Sequence, residues 1–313
     1  MPALEAASGP GVIPRVPSRR VRRLRENLEA YAFLLPAIVV LGVFHLFPIV
    51  FAFFISLLKW NMIDPVRPYV GLANYVQALQ DDKFRTALGN TTYYAFVSVG
   101  LAIPLALFFA VLLNRKLRGM SWYRTAFFIP HVTSLAAAAM VWHWLYNPDQ
   151  FGLLNYLLDK VGIPPQRWLL DPVQAMPAII AVSIWSSLGR DIVIFLAGLQ
   201  GISQDYYEAA QIDGANNWQL FRHVTWPLLS PTTYFVLIIS MIGAFKIFAL
   251  PLFLTGGGPL SKTLTIVYSI YQQGFQYFRM GYASAQAYTL FAIIFLITML
   301  QRRVLAHRVH YDI

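Results

Sequence analysis

The chain contains no cysteine, which removes disulfides, thiolate metal sites and cysteine nucleophiles together. It is also poor in charge. Only 12% of its 313 residues are Asp, Glu, Lys or Arg, against about 25% in soluble domains. No GxxxxGK[ST] loop occurs, so the chain does not cradle nucleotide phosphates in that way. HExxH, GxSxG and a carboxylate pair within an apolar run are missing too, and an intramembrane protease or lipid-modifying enzyme would need such a set. Six histidines are scattered, with no pair at metal-site spacing. His45, His131 and His143, in or near apolar runs, read as packed hydrogen-bonding side chains.

What is present is apolar. Hydrophobic residues make up 58% and the mean hydropathy is +0.54, the composition of an all-α polytopic membrane protein. Six runs approach the ~20 residues needed to cross a bilayer: Ala32–Leu58, Thr92–Leu113, Ala126–Tyr146, Met176–Leu199, Leu228–Leu250 and Ala283–Leu300. Six spans put both termini on one side. The first run is too long for a signal-peptide core and no small-x-small cleavage site closes it, so it reads as a retained span, bent at Pro36 or Pro48. Residues 1–30, with Arg19, Arg20, Arg22, Arg23 and Arg25, read as a partly disordered tail becoming a basic amphipathic surface helix. The formal charge of +10 is spread over tails and short loops, as topology signals are, and does not imply nucleic acid. The N-tail, the loop with Arg115, Lys116, Arg118 and Arg124, Arg222, and the C-tail (304–313, preceded by Arg302 and Arg303) together hold fourteen Lys and Arg; the opposite loops hold eight. The positive-inside rule makes the richer side, and both termini, cytoplasmic. Residues 31–303 form the membrane domain.

One long polar stretch interrupts the second half: SQDYYEAAQIDGANNWQLFRHVTWP, Ser203 to Pro227. Polar backbone at membrane depth is tolerated only away from lipid, so this stretch faces water. Ser203 is placed to cap a helix with Asp205 and Glu208 in its first turns. Gly214 stands where a helix end takes positive φ. Asn216 or Asn217 then caps a second short helix, whose Trp218, Phe221 and Val224 share a face. Pro227 resets the chain before the next run. The expectation is a helix–turn–helix finger on the cytoplasmic face.

Three ionisable residues fall within spans: Arg190 and Asp191 in the fourth, Lys246 in the fifth. Each costs about 2.5–3.5 kcal/mol to insert, so each should pair or line water. Adjacent on a helix, Arg190 and Asp191 are expected to point to different sides. Ser183, Ser186, Ser187 and Ser240 lie near the charges; serines in membrane helices usually back-bond to their own helix, and their joint presence here adds modest weight to a polar path. Gly256–Gly258, between the last two spans, reads as flexible backbone that another protein could approach.

These residues resemble a family, the permease subunits of binding-protein-dependent sugar ABC importers of the maltose and glycerol-3-phosphate type. Glu208-Ala209-Ala210, then Asp213-Gly214-Ala215, and Val224-Thr225-Trp226-Pro227 match its EAA loop, with Trp226 where leucine is usual. Leu254-Thr255-Gly256-Gly257-Gly258-Pro259, Gly71-Leu72-x-Asn74-Tyr75, Phe128-Ile129-Pro130 and Trp142-x-Trp144-Leu145-Tyr146 are similar to further signatures. The resemblance covers about residues 30 to 303 and implies the type I importer fold in its shorter, six-span form. It implies a prokaryotic cytoplasmic-membrane subunit without catalysis of its own. A second homologous permease, an ABC ATPase dimer that binds ATP and magnesium, and an extracytoplasmic solute-binding protein would be its partners. Glu208, Ala209, Ala210, Asp213, Gly214, Ala215 and Phe221 would couple to the ATPase. Ser183, Ser187, Arg190, Ser240, Ala244 and Lys246 would line the path of a sugar or sugar-like solute, and Thr255 to Pro259 would meet the binding protein. Arg190-Asp191 stands where the family is commonly uncharged, and Ala249 where many members have aspartate. An arginine there points to a phosphorylated or acidic solute, or to a structural ion pair. Two other classes fit the finger alone: a membrane scaffold holding a cytoplasmic partner, and an ion-driven secondary transporter, for which no pair of broken-helix repeats is visible.

Overall fold

The computed structural model describes residues 19–114, 119–149 and 152–305. Most of the N-terminal tail, Arg115, Lys116 and Arg118, and residues 306–313 of the C-tail lie outside the described residues. The described chain is helical, with isolated bridges only at Leu58–Tyr69 and Asn61–Arg279. It divides into two units, one ending at Phe54 and one beginning at Ile55.

The first unit is the greater part of α1 (residues 19–56). The helix is continuous from Arg19, and its part apolar enough to cross a membrane is Asn27–Ser56. It runs through Pro36 and reaches Pro48 by a π-helical turn over Gly42–Leu46. That turn adjusts the backbone ahead of the proline, whose ring would otherwise strike the carbonyl four residues earlier.

The second unit contains α2 (Ala73–Gln80), α3 (Asp82–Leu113), α4 (Met120–Val132), α5 (Leu135–Leu145), α6 (Leu153–Lys160) and α7 (Ala175–Gln200). Then come α8 (Gln204–Ile212), α9 (Asn217–Leu228, with a π turn over Phe221–Thr225) and α10 (Ser230–Phe245). The chain closes with α11 (Ala249–Thr255), α12 (Ile266–Tyr271) and α13 (Met280–Leu305). Among the described residues, four helices are long and apolar enough to cross a membrane, and up to six if each of two bent pairs is one span.

Those bends fall in two of the apolar runs read from the sequence. Residues 126–146 are not one rod: α4 and α5 meet at 98°. Thr133 takes an extended backbone while its hydroxyl donates to the Ile129 carbonyl at 2.8 Å, closing α4. Likewise α9 and α10 meet at 62°. Pro227 does not reset the chain there: it lies one residue before the end of α9, and the backbone stays helical through it. The break falls at Leu229, ahead of Pro231.

The fifth run also ends early. α10 stops at Phe245 and α11 starts at Ala249. Pro251 has no N–H to give the carbonyl of Ile247, four residues back, and that carbonyl instead accepts from Thr265 Oγ1 at 3.1 Å.

The core is the contact of α3 with α7. On α3, Ala87, Thr91, Ala95, Ala102, Ala106 and Ala110 are buried along one stripe. Small residues let membrane helices approach closely where no hydrophobic effect drives them together. α7 answers with Ala175, Ala178, Ile179, Val182 and Ile192. A Cβ on Gly189 would lie 2.2 Å from the Phe127 carbonyl oxygen of α4. Gly189→Ala should therefore cost about 1–3 kcal/mol, read as a lower thermal midpoint of the purified protein. Gly100→Ala, which meets open space, should cost none.

Candidate functional site

Two features stand out in the second unit: a polar cavity between helices and a polar finger joining two of them. The cavity, of about 180 Å³, lies among α3, α7 and α10. α3 contributes Tyr94, Ser98, Val99 and Ala102. α7 contributes Ser183, Ile184, Ser187, Arg190 and Asp191. Ser240, Gly243 and Ala244 of α10 close it, with Ile247 just beyond.

The sequence reading brought Ser183, Ser187, Arg190, Ser240 and Ala244 to this place, and the fold gathers all five. Lys246 is not among the lining residues: α10 has ended before it, and it is exposed at the break. The opposed directions expected of Arg190 and Asp191 also fail. Arg190 Nε and Nη2 both lie 2.9 Å from Asp191 Oδ1. The long arginine side chain folds back onto its neighbour, a reach that Cα directions alone do not capture. Arg190 Nη2 also donates to Ser240 Oγ at 3.2 Å, joining α7 to α10. Asp191 is 1% exposed against 35% for Arg190, so the buried partner is the carboxylate.

Tyr94 and Ser98 were missed by sequence reading. They belong to a different span, and polar side chains in an apolar run were the only available signal. The Tyr94 hydroxyl bonds the Ser183 hydroxyl across the α3–α7 contact. Ser186 and Ser187 hydroxyls donate back to the Ser183 and Ile184 carbonyls at 2.9 and 3.4 Å, leaving their lone pairs as acceptors.

The finger is α8, a turn and α9. Ser203 Oγ accepts from the Asp205 N–H at 3.3 Å. Gly214 has φ +81°, and its N–H bonds the Gln211 carbonyl at 3.0 Å. Asn216, rather than Asn217, caps α9: its Oδ1 accepts from the Gln219 N–H at 2.9 Å, and Gln219 Oε1 accepts from the Asn216 N–H at 2.8 Å. Tyr207 and Thr225 hydroxyls meet at 3.1 Å and tie the two legs. Glu208, Ala209, Asp213 and Gly214 are exposed, while Ala210 and Ala215 are half-buried. Ile212 is 86% and Trp218 66% exposed, so the tip shows apolar as well as acidic groups. Phe221 turns inward, stacking on Trp218 at 5.8 Å and lining an apolar hollow with Pro104, Leu107 and Phe108 of α3. The finger thus touches the helix that lines the cavity.

At the other end of α10, Thr255 to Pro259 form a tied turn rather than loose backbone. Gly256 and Gly257 have φ +58° and +84°. The Thr263 hydroxyl donates to the Gly258 carbonyl at 2.6 Å and meets the Thr255 hydroxyl at 2.6 Å. A Cβ on Gly257 would lie 2.9 Å from the Tyr268 ring. Asn155, 1% exposed, was also missed; it joins Asn147 and Pro148 to Gln166 and Trp168 through the Asn147, Pro148 and Gln166 carbonyls and the Trp168 indole.

A family model for the inner membrane component of binding-protein-dependent transport systems matches residues 84–311. The sn-glycerol-3-phosphate transport system permease protein UgpA of Agrobacterium fabrum is 34% identical over 289 residues, 91% of this chain and 97% of that one. The trehalose/maltose transport system permease protein MalF of Thermococcus litoralis is 37% identical over 259 residues, covering 83% and 86%. A chain in the crystal structure of a bacterial alginate ABC transporter with its pentasaccharide-bound periplasmic protein shares the fold. Its TM-score is 0.81 at 24% identity, covering 91% of this chain and 96% of that one.

The Asn216 cap makes a local prediction. Asn216→Ala should destabilise the start of α9 by about 1 kcal/mol. Amide exchange at Trp218 and Gln219 should quicken about fivefold by this amount, with the core of α7 unchanged.

Proposed function

We infer, from the premise that this chain belongs to the family of inner membrane components of binding-protein-dependent transport systems, how its finger and cavity work together. The protein is a multi-pass membrane permease subunit of an ATP-driven importer. Its solute is a sugar or sugar-like molecule, a class supported by the names of its relatives. The observation that carries the mechanism is continuity. α7 and α10 flank the finger and also line the polar cavity.

In this reading the finger lies in the cytoplasm, on the side richer in Lys and Arg. It docks into an ABC ATPase dimer, which binds ATP and magnesium; this chain performs no catalysis. Glu208 meets a basic group of the ATPase. Gly214 keeps the turn tight, since φ +81° is strained for a residue with a Cβ. Ile212 and Trp218 supply apolar contact. A second, homologous permease completes the cavity, which at about 180 Å³ is smaller than the ~300–1,000 Å³ of most complete ligand sites. A solute-binding protein delivers the solute at the end carrying Thr255–Pro259. Closure of the ATPases moves the finger, and α7 and α10 carry that motion to the cavity, opening it alternately to either side.

Glu208→Lys and Gly214→Asp should leave membrane insertion intact, abolish co-purification with the ATPase and lower uptake at least about tenfold, the effect of 1.4 kcal/mol. Normal uptake with both changes would contradict the coupling. Arg190→Ala should raise the KM for the solute in an assembled complex. A fall in folded yield alone would give Arg190 a structural role instead.

A further inference from the structure

We propose that Asp191 sets the charge preference of the cavity: by pairing with Arg190 it makes the site take uncharged polyhydroxylated solutes and reject phosphorylated or acidic ones. This rests on the importer reading and deepens it.

An unpaired arginine would make the cavity a site for anions. Here Arg190 is not unpaired. Its Nε and Nη2 are both 2.9 Å from Asp191 Oδ1. These two are the only Asp, Glu, Lys or Arg side chains among the lining residues.

The pair is also hard to open. Asp191 is 1% exposed, and its Oδ2 already has no hydrogen-bond partner among the described residues. An anionic solute drawing Arg190 away would strip Oδ1 as well, leaving a buried carboxylate with neither oxygen satisfied. An anion that left the pair intact would meet a guanidinium whose charge is already offset by the carboxylate 2.9 Å away. A neutral polyol meets neither obstacle. Each of its hydroxyls both donates and accepts. It finds the exposed part of the guanidinium and the hydroxyls of Ser98, Ser183, Ser187 and Ser240 around the cavity.

Because the chain lacks cysteine, Ser187→Cys places a single thiol of this chain in the cavity. The test uses the assembled complex in proteoliposomes, with any cysteines of its partners replaced. Its probes are hydroxyethyl and sulfonatoethyl methanethiosulfonate, neutral and anionic, with rates normalised to a free thiol. With Asp191 present, the neutral reagent should react at least as fast as the anionic one. Asp191→Asn should raise the anionic-to-neutral ratio about tenfold, the low end of electrostatic focusing in a cleft. Removing both charges with Arg190→Gln and Asp191→Asn together should return the ratio to that of the parent. If Asp191→Asn does not assemble, Arg190→Gln serves with reversed sign: the bare carboxylate should lower the ratio about tenfold. A ratio unmoved by these changes, or an anionic preference with the pair intact, would overturn the proposal. ATP-driven uptake by the parent complex, measured separately, distinguishes failure of the importer reading from failure of this one.

Discussion

Helices that carry alanine where they meet lie closer than helices that carry leucine, and in a membrane that closeness is what holds them. α3 and α7 meet in this way through Ala87, Ala95, Ala102, Ala106 and Ala110 on one side and Ala175, Ala178 and Val182 on the other. The remaining arrangement follows from this contact. It brings the Tyr94 hydroxyl to Ser183. It leaves room for Gly189 against the α4 backbone. It also sets Arg190 where α10 can meet it through Ser240. A polar cavity is thereby built from three helices whose outer faces are apolar.

The finger is rooted in the same frame. α8 follows α7 directly, and α9 runs into α10 through the bend at Leu229. Phe221 packs toward α3, and Tyr207 ties the two legs at Thr225. A force on the exposed tip therefore has short routes to each helix that lines the cavity. The π turn at Phe221–Thr225 lies between tip and bend, a position where a wider helical turn can absorb rotation.

Much of the finger was legible in the sequence. Capping at Ser203, the positive φ at Gly214 and the start of α9 depend on residues within a few positions of one another, and local chemistry decides them. The cavity was legible from one side only. Serine spacing on α7 and α10 pointed to it, but Tyr94 and Ser98 enter from α3, whose partner no periodicity names. The Arg190–Asp191 pair was misread because side-chain flexibility, not helix geometry, decides whether neighbours on a chain can bond. The bends within 126–146 and at the start of 228–250 were not legible for a related reason. An apolar run shows that a segment is buried, while its bends come from Thr133, Pro231 and Pro251, whose effect depends on which carbonyls find other donors.

The central claim is that motion of the finger reaches the cavity. It is tested most directly by spin labels on cysteines introduced at Ala102 of α3 and Gly243 of α10, which line the cavity from two different helices. In the assembled complex with other cysteines removed, ATP should shift the distance between the labels, and Gly214→Asp should abolish the shift. An unchanged distance while the labelled complex still takes up solute on ATP would contradict the account.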